Sequence, residues 1–170
     1  MHNQKIIIGI GGNIKSEDGD HPVMVAMKAI SYLKDYSIYV TDQSRWYETE
    51  PIPKSDQPNY FNCIVFAKTV LNELDVLKSF HEIEYRLGRK RILVNEARVI
   101  DLDLIDYSNK ILRNKEIVIP HPRAHRRRFV MEPLAELDKN WIHPILKKSI
   151  QKILNDLKSQ NIKIFNEKKI

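Results

Sequence analysis

Between Asn95 and Tyr107 the chain reads NEARVIDLDLIDY, and this stretch restricts the fold more than any other. Val99, Ile100, Leu102, Leu104 and Ile105 form a nearly continuous apolar run, which predicts a strand. Asp101 and Asp103 are set into it two positions apart. Side chains alternate faces along a strand, so both carboxylates project from one side, roughly 6–7 Å apart. Like charges on a half-buried surface repel. Such a sheet needs positive charge facing its acids. Asp106 falls on the opposite face in this alternation and reads as solvated.

The remaining elements follow from periodicity and punctuation. KIIIGIGGN opens as a buried strand at Lys5–Ile10, and Gly9–Asn13 reads as a tight strand-to-loop turn. Pro22 suits a first helical turn, with Val23, Met27, Ile30 and Leu33 on one stripe. SIYVTDQSRWY reads as a second strand with an irregular end. ETEPIPKSDQPNY holds three of the eight prolines and reads as an ordered loop. A third strand covers Phe61–Val70. Asn72 can cap a second helix whose Val76, Phe80, Ile83 and Leu87 repeat on one face until Gly88 stops it. The Asp strand, a short strand EIVIP and a third helix around Ile145–Leu157 complete the chain. The order βαββαβ with small C-terminal additions predicts an α+β, ferredoxin-like sandwich. No repeat or linker interrupts it, so residues 1–170 read as a single domain.

At 42% hydrophobic and 29% charged residues the composition is that of a soluble globular protein rather than a disordered chain. The net charge of +6 favours nucleic-acid or phosphate-bearing partners. Much of the excess lies in RAHRRR, Arg123–Arg128, and in a lysine-scattered tail that reads as a solvated end. A lone Cys63 excludes an intramolecular disulfide and fits a reducing compartment. No apolar run approaches the roughly 18 residues of a membrane span, and the N-terminus lacks a signal-peptide pattern. A cytoplasmic monomer without a membrane partner is the expectation.

Paired carboxylates on a strand face suit hard cations such as Mg²⁺, which keep substrate phosphates as further ligands. Alone, D-x-D reads equally as the polar face of an antiparallel strand. The neighbours favour chemistry: Arg89, Lys90, Arg91 and Arg98 precede the acids, and His121, Arg123, His125, Arg126, Arg127 and Arg128 follow. Arginines match phosphate oxygens bidentately, so metal-binding acids lie between two phosphate-binding clusters. That arrangement serves transfer from a nucleoside triphosphate, where catalysis is mostly positioning and charge neutralisation. Gly9–Asn13 fits neither phosphate-loop glycine pattern. Thr49, Tyr60, Asn62 and Phe129 supply faces and amides for a flat heterocycle. Glu84 is either an anchor for the basic loop or an edge residue with its carboxylate in water. His81 reads as helix surface, and Trp46 and Trp141 as packing residues. RNA binding on a basic sheet is the rival, but the RNP1 pattern is missing. Nucleotidyl transfer or cyclisation on the same metal site is a third reading.

These pieces resemble the 6-hydroxymethyl-7,8-dihydropterin pyrophosphokinases of folate biosynthesis over roughly Ile6 to Pro144. GGN after the first strand is similar to the family's G-S-N. YETEPIPKSDQPNYFNC resembles its Y-x-T-x-P…Q-P-x-Y-x-N segment, ARVIDLDLI its R-x-x-D-[LIV]-D signature, and IPHPRAHRRRF its P-H-P-x-x-x-x-R-x-F.

The resemblance implies transfer of pyrophosphate from ATP to the pterin hydroxymethyl oxygen, with AMP released. It implies two Mg²⁺ ions on Asp101 and Asp103, and phosphate charge met by Arg89, Arg91 and Arg98. It implies a nucleotide site at His81, Arg91, Arg98, His121 and Arg127. It implies a pterin pocket of Thr49, Glu50, Ile52, Tyr60, Asn62 and Phe129, with Glu84 a supporting acid. The loop GRKRILVNEAR is one residue short of the family form, and Asn95-Glu96 replaces its aromatic-Gly pair. Glu50 stands where proline is common, and Gly12 replaces the serine of G-S-N.

Overall fold

The computed structural model describes residues 3–89 and 96–170. Its main sheet is antiparallel, with the order β5-β1-β4-β3-β8 and β2 also paired to β4. These strands are β1 (Gln4–Gly12), β2 (Ile38–Gln43), β3 (Tyr47–Thr49), β4 (Tyr60–Thr69), β5 (Asp101–Tyr107) and β8 (Lys163–Ile164). A separate hairpin pairs β6 (Leu112–Arg113) with β7 (Val118–Ile119). The helices are α1 (Pro22–Leu33), α2 (Glu73–Arg86), α3 (Arg128–Leu137) and α4 (Ile150–Asn155). Among the described residues no helix is long and apolar enough to cross a membrane.

Alternation along the strands builds two cores, one on each face of the sheet. Ile6, Ile8, Ile10, Val65, Ala67, Leu102 and Leu104 pack with residues of α1 and α2. Ile64 and Ile105 pack instead with Met131 and Leu134 of α3 and Ile150 and Ile153 of α4. The C-terminal additions therefore cover the second face, leaving part of it open as the floor of a cleft. Trp46 and Trp141 are buried packing residues, as expected.

Asn72 does cap α2, its side chain accepting from the Asp75 N–H at 2.9 Å, and Gly88 follows with φ +86°. The irregular second strand is a bulged β2 followed by a separate β3, both paired to β4. Four expectations are corrected. The glycines of Gly9–Gly12 make no turn; they lie inside β1. Met27 is exposed, and Ala26 and Ala29 take the inner face of α1, where small side chains bring the helix close to the sheet. The third predicted helix starts only at Ile150, because His143 turns the preceding segment: its Nδ1 accepts the Ile145 and Leu146 N–H groups, each at 3.2 Å. Ahead of it stands the unanticipated α3, which runs through Pro133. Proline lacks the N–H that would donate to the carbonyl four residues back, so the sequence gives a poor helix signal there.

Asp106 is the fourth correction. The ladder between β1 and β5 shifts register, with Ile8 opposite Leu104 but Ile7 opposite Asp106. Cross-strand partners share a face, and Gly11, Gly9 and Ile7 lie opposite Asp101, Asp103 and Asp106. The bulge thus returns Asp106 to the face of the other two acids. It is buried at 3% exposure rather than solvated, and it accepts the Asn109 N–H at 2.8 Å.

Candidate active site

A cleft of about 640 Å³ opens over the sheet face that carries Asp101 and Asp103. Part of its floor is the C-terminal half of β1, Gly9 to Gly11. A Cβ on Gly11 would lie 2.4 Å from Asn62 Oδ1, and one on Gly9 3.3 Å from Ile105 Cδ1. Glycine is needed here for close approach, and it leaves room above the sheet. Thr49, Glu50, Ile52, Tyr60, Asn62, His81, Arg89, Arg98, Asp101, Asp103, His121, Arg127 and Phe129 all line this one cleft. Arg91 lies outside the described residues.

The two acids differ in their surroundings. Asp101 is clamped, its Oδ1 2.6 Å from Arg89 Nη1 and its Oδ2 2.6 Å from Arg98 Nη1. Burial pushes its pKa up, but the two guanidiniums outweigh burial and hold it below the usual carboxylate range. Asp103 sits farther from its cations, 3.7 Å from Arg127 Nη1 and 3.9 Å from His121 Nε2. Burial, and then the charge of Asp101, raise it to about 6. Asp101 is thus the tightly paired acid, and Asp103 the one whose charge is least compensated.

Glu84 resolves its two readings in favour of the anchor. It is 1% exposed on α2, pairs with Arg89, and accepts the Leu102 N–H at 2.8 Å. One carboxylate thereby fixes both an arginine of the site and the strand between the two acids. Across the cleft, the His121 N–H donates to the Ile105 carbonyl at 2.9 Å, and His121 Nδ1 accepts the Arg123 N–H at 3.2 Å. Burial, followed by Arg127 and Arg123, lowers His121 to about 4, so its ring is neutral near pH 7. The basic cluster is split by the short 3₁₀ turn Ala124–Arg126 and the start of α3. His121, Arg123 and Arg127 line the cleft. Arg128 instead pairs with Glu132 at 2.9 Å, and His125 packs against His143.

At the other end of the cleft, Asn62 Nδ2 donates to Thr49 Oγ1 at 3.2 Å, and both residues are buried. Tyr60 and Phe129 are half-buried, with the Arg127 guanidinium 5.5 Å from the Phe129 ring centre. Amide, hydroxyl and aromatic groups thus converge here, a lining of the kind small-molecule pockets share. Glu50 and Ile52 are exposed at its rim.

The donor set also suits Mg²⁺. Two carboxylates share the cleft floor, and among the described residues no group of three His, Cys, Asp or Glu closes an all-protein cage. Mg²⁺ is commonly held by one or two carboxylates together with substrate phosphates.

The family model described as 7,8-dihydro-6-hydroxymethylpterin-pyrophosphokinase (HPPK) matches residues 7–139. The chain belongs to the HPPK family. A relative from Haemophilus influenzae, a 2-amino-4-hydroxy-6-hydroxymethyldihydropteridine pyrophosphokinase, is 34% identical over 137 residues, 81% of this chain and 83% of that one. The folic acid synthesis protein fol1 of Pneumocystis carinii is 30% identical over 163 residues, covering 96% of this chain and 21% of that protein. The crystal structure of Plasmodium falciparum HPPK-DHPS, wild type with pteroate, matches in fold with a TM-score of 0.71 at 14% identity, over 91% of this chain and 44% of that one. The chain thus spans a minor part of the fungal and Plasmodium proteins and most of the bacterial one.

In this HPPK-family chain, two groups at the site escaped sequence reading. Asn114–Val118, around the β6–β7 hairpin, forms a wall of the cleft, and nothing in so short a hairpin signals that placement. Asn13 and Gln57 join the loops beside it. Their signal was their place in the GGN and QPNY motifs, without a role attached.

Proposed function

We propose that the chain transfers a pyrophosphoryl group from ATP to 6-hydroxymethyl-7,8-dihydropterin, giving AMP and the pterin pyrophosphate in folate biosynthesis. The observation that carries this reading is the paired Asp101 and Asp103 on a glycine floor, with arginines on both sides and a heterocycle-sized pocket adjoining. Family membership supports it.

The triphosphate lies over the acid pair. Arg89 and Arg98, both paired with Asp101, meet it from the α2 side, and Arg127 just before α3 and His121 just after β7 meet it from the other. Asp101 and Asp103 would hold two Mg²⁺ ions, which neutralise phosphate charge and polarise the bond to AMP. Asn62 and Thr49 hydrogen-bond the edge of the pterin and Phe129 stacks on its face, directing the hydroxymethyl oxygen at the β-phosphorus. A bond forms between that oxygen and the β-phosphorus. The bond to the bridging oxygen breaks, AMP leaves with it, and the hydroxyl proton passes to solvent. Positioning supplies much of the rate, since oriented reactants avoid the entropy cost of encounter.

The strand order supports the finer ferredoxin-like description, with β5-β1-β4 and then β2 and β3 as the βαββαβ core. The same reading takes residues 1–170 as one pyrophosphokinase domain, acting as a cytoplasmic monomer on small molecules. The test is an assay of purified protein with ATP, the pterin alcohol and Mg²⁺, separating products by chromatography. AMP and pterin pyrophosphate in equal amounts, both absent without metal, are expected. Free pyrophosphate would instead mean nucleotidyl transfer and would overturn the reading.

A further inference from the structure

Asn13 follows directly after β1 and is 3% exposed, yet it lines no part of the cleft. Its backbone N–H donates to the Arg98 carbonyl at 2.9 Å, and its Oδ1 accepts the Arg98 N–H at 2.8 Å. Its Nδ2 donates in the other direction, to Gln57 Oε1 and the Pro58 carbonyl, each at 3.2 Å. Gln57 Oε1 also accepts from the Tyr60 hydroxyl at 3.1 Å. One buried side chain therefore joins the proline loop, which frames the heterocycle pocket, to the backbone of Arg98, whose guanidinium holds Asp101. Gly12 permits the join: a Cβ there would lie 2.3 Å from the Val99 carbonyl oxygen.

We infer that Asn13 is a positioning residue that couples the two substrate sites, so that nucleotide bound on the Arg98 side tightens pterin binding on the loop side. The inference rests on the function proposed above. Both donors and the acceptor of one amide are committed, so moving either loop strains the bonds to the other. An unpaired buried polar atom is costly, which makes the two loops move together. Coupling of this kind between sites commonly amounts to 5–150-fold in affinity.

The experiment measures pterin dissociation constants with and without Mg²⁺ and a non-hydrolysable ATP analogue, alongside kcat, in wild type and Asn13→Asp. Aspartate keeps the acceptor for Arg98 but sets a carboxylate oxygen against the Pro58 carbonyl, which has no donor to offer in return. Wild type should bind pterin more tightly with nucleotide present. In Asn13→Asp that factor should fall towards one, and kcat should drop on the order of 10- to 100-fold. Gln57→Ala, which removes one loop-side acceptor, should give a partial loss and serves where Asn13→Asp does not fold. Unchanged coupling in a folded variant would overturn the inference, as would a pterin affinity weakened equally with and without nucleotide. A wild-type protein that forms no AMP would sink the functional reading itself, and this inference with it.

Discussion

Glu84 shows how one side chain can carry both stability and chemistry. It is buried between Arg89 and the Leu102 N–H, so Glu84→Ala leaves a donor unmatched and an arginine short of a partner. Breaking such a buried arrangement costs about 3 kcal/mol. Glu84→Gln keeps an acceptor for Leu102 and should lose less. Urea titrations of both variants check this; an alanine variant as stable as wild type would contradict the anchor role. Gly11→Ala tests the cleft floor. Its new methyl would meet Asn62 Oδ1, so pterin affinity should fall at least tenfold while ATP affinity holds, as read by calorimetric titration. At this scale the sequence was informative about charge and poor about burial. Asp101 and Asp103 were legible because their spacing fixes their face, and the arginines because they cluster on either side of the pair in the sequence. Asp106 was misplaced because a one-residue bulge inverts the alternation, and its cause lies in the pairing of β1 with β5 rather than in local residues.

Elements were legible where one period dominates. β1, β4, α2 and β5 match their patterns, and α2 even its cap. The segment from Arg128 to Asn155 was read less well, since α3 contains a proline and α4 is short. Its turn is held by His143, which is buried and accepts two backbone N–H groups. Burial first, and then neighbouring His125, lower the His143 pKa from 6.5 to about 4. Between these values the unfolded chain binds a proton that the folded chain does not. His143's contribution is therefore intact above about pH 6.5 and is lost as the pH falls towards 4. Asn at this position can accept the same N–H groups without titrating. His143→Asn should accordingly lose less stability than wild type between pH 7 and pH 5 in denaturant titrations. Equal losses would remove His143 from the acid response.

For the whole molecule, the cleft is where the sheet, the proline loop, α2 and the start of α3 meet. Motif order anticipated this convergence, although no local pattern states that Thr49 and Phe129 face one cavity; only the folded sheet brings them there. In the function proposed above, Asp101 and Asp103 share a face in order to hold the cations of a pyrophosphoryl transfer. The direct measurement is steady-state AMP formation by wild type, Asp101→Asn and Asp103→Asn at saturating Mg²⁺, with circular dichroism to verify folding. Folded variants are expected, with turnover lower by roughly 10²–10³-fold or more. Near-normal turnover in both would contradict this role for the two acids.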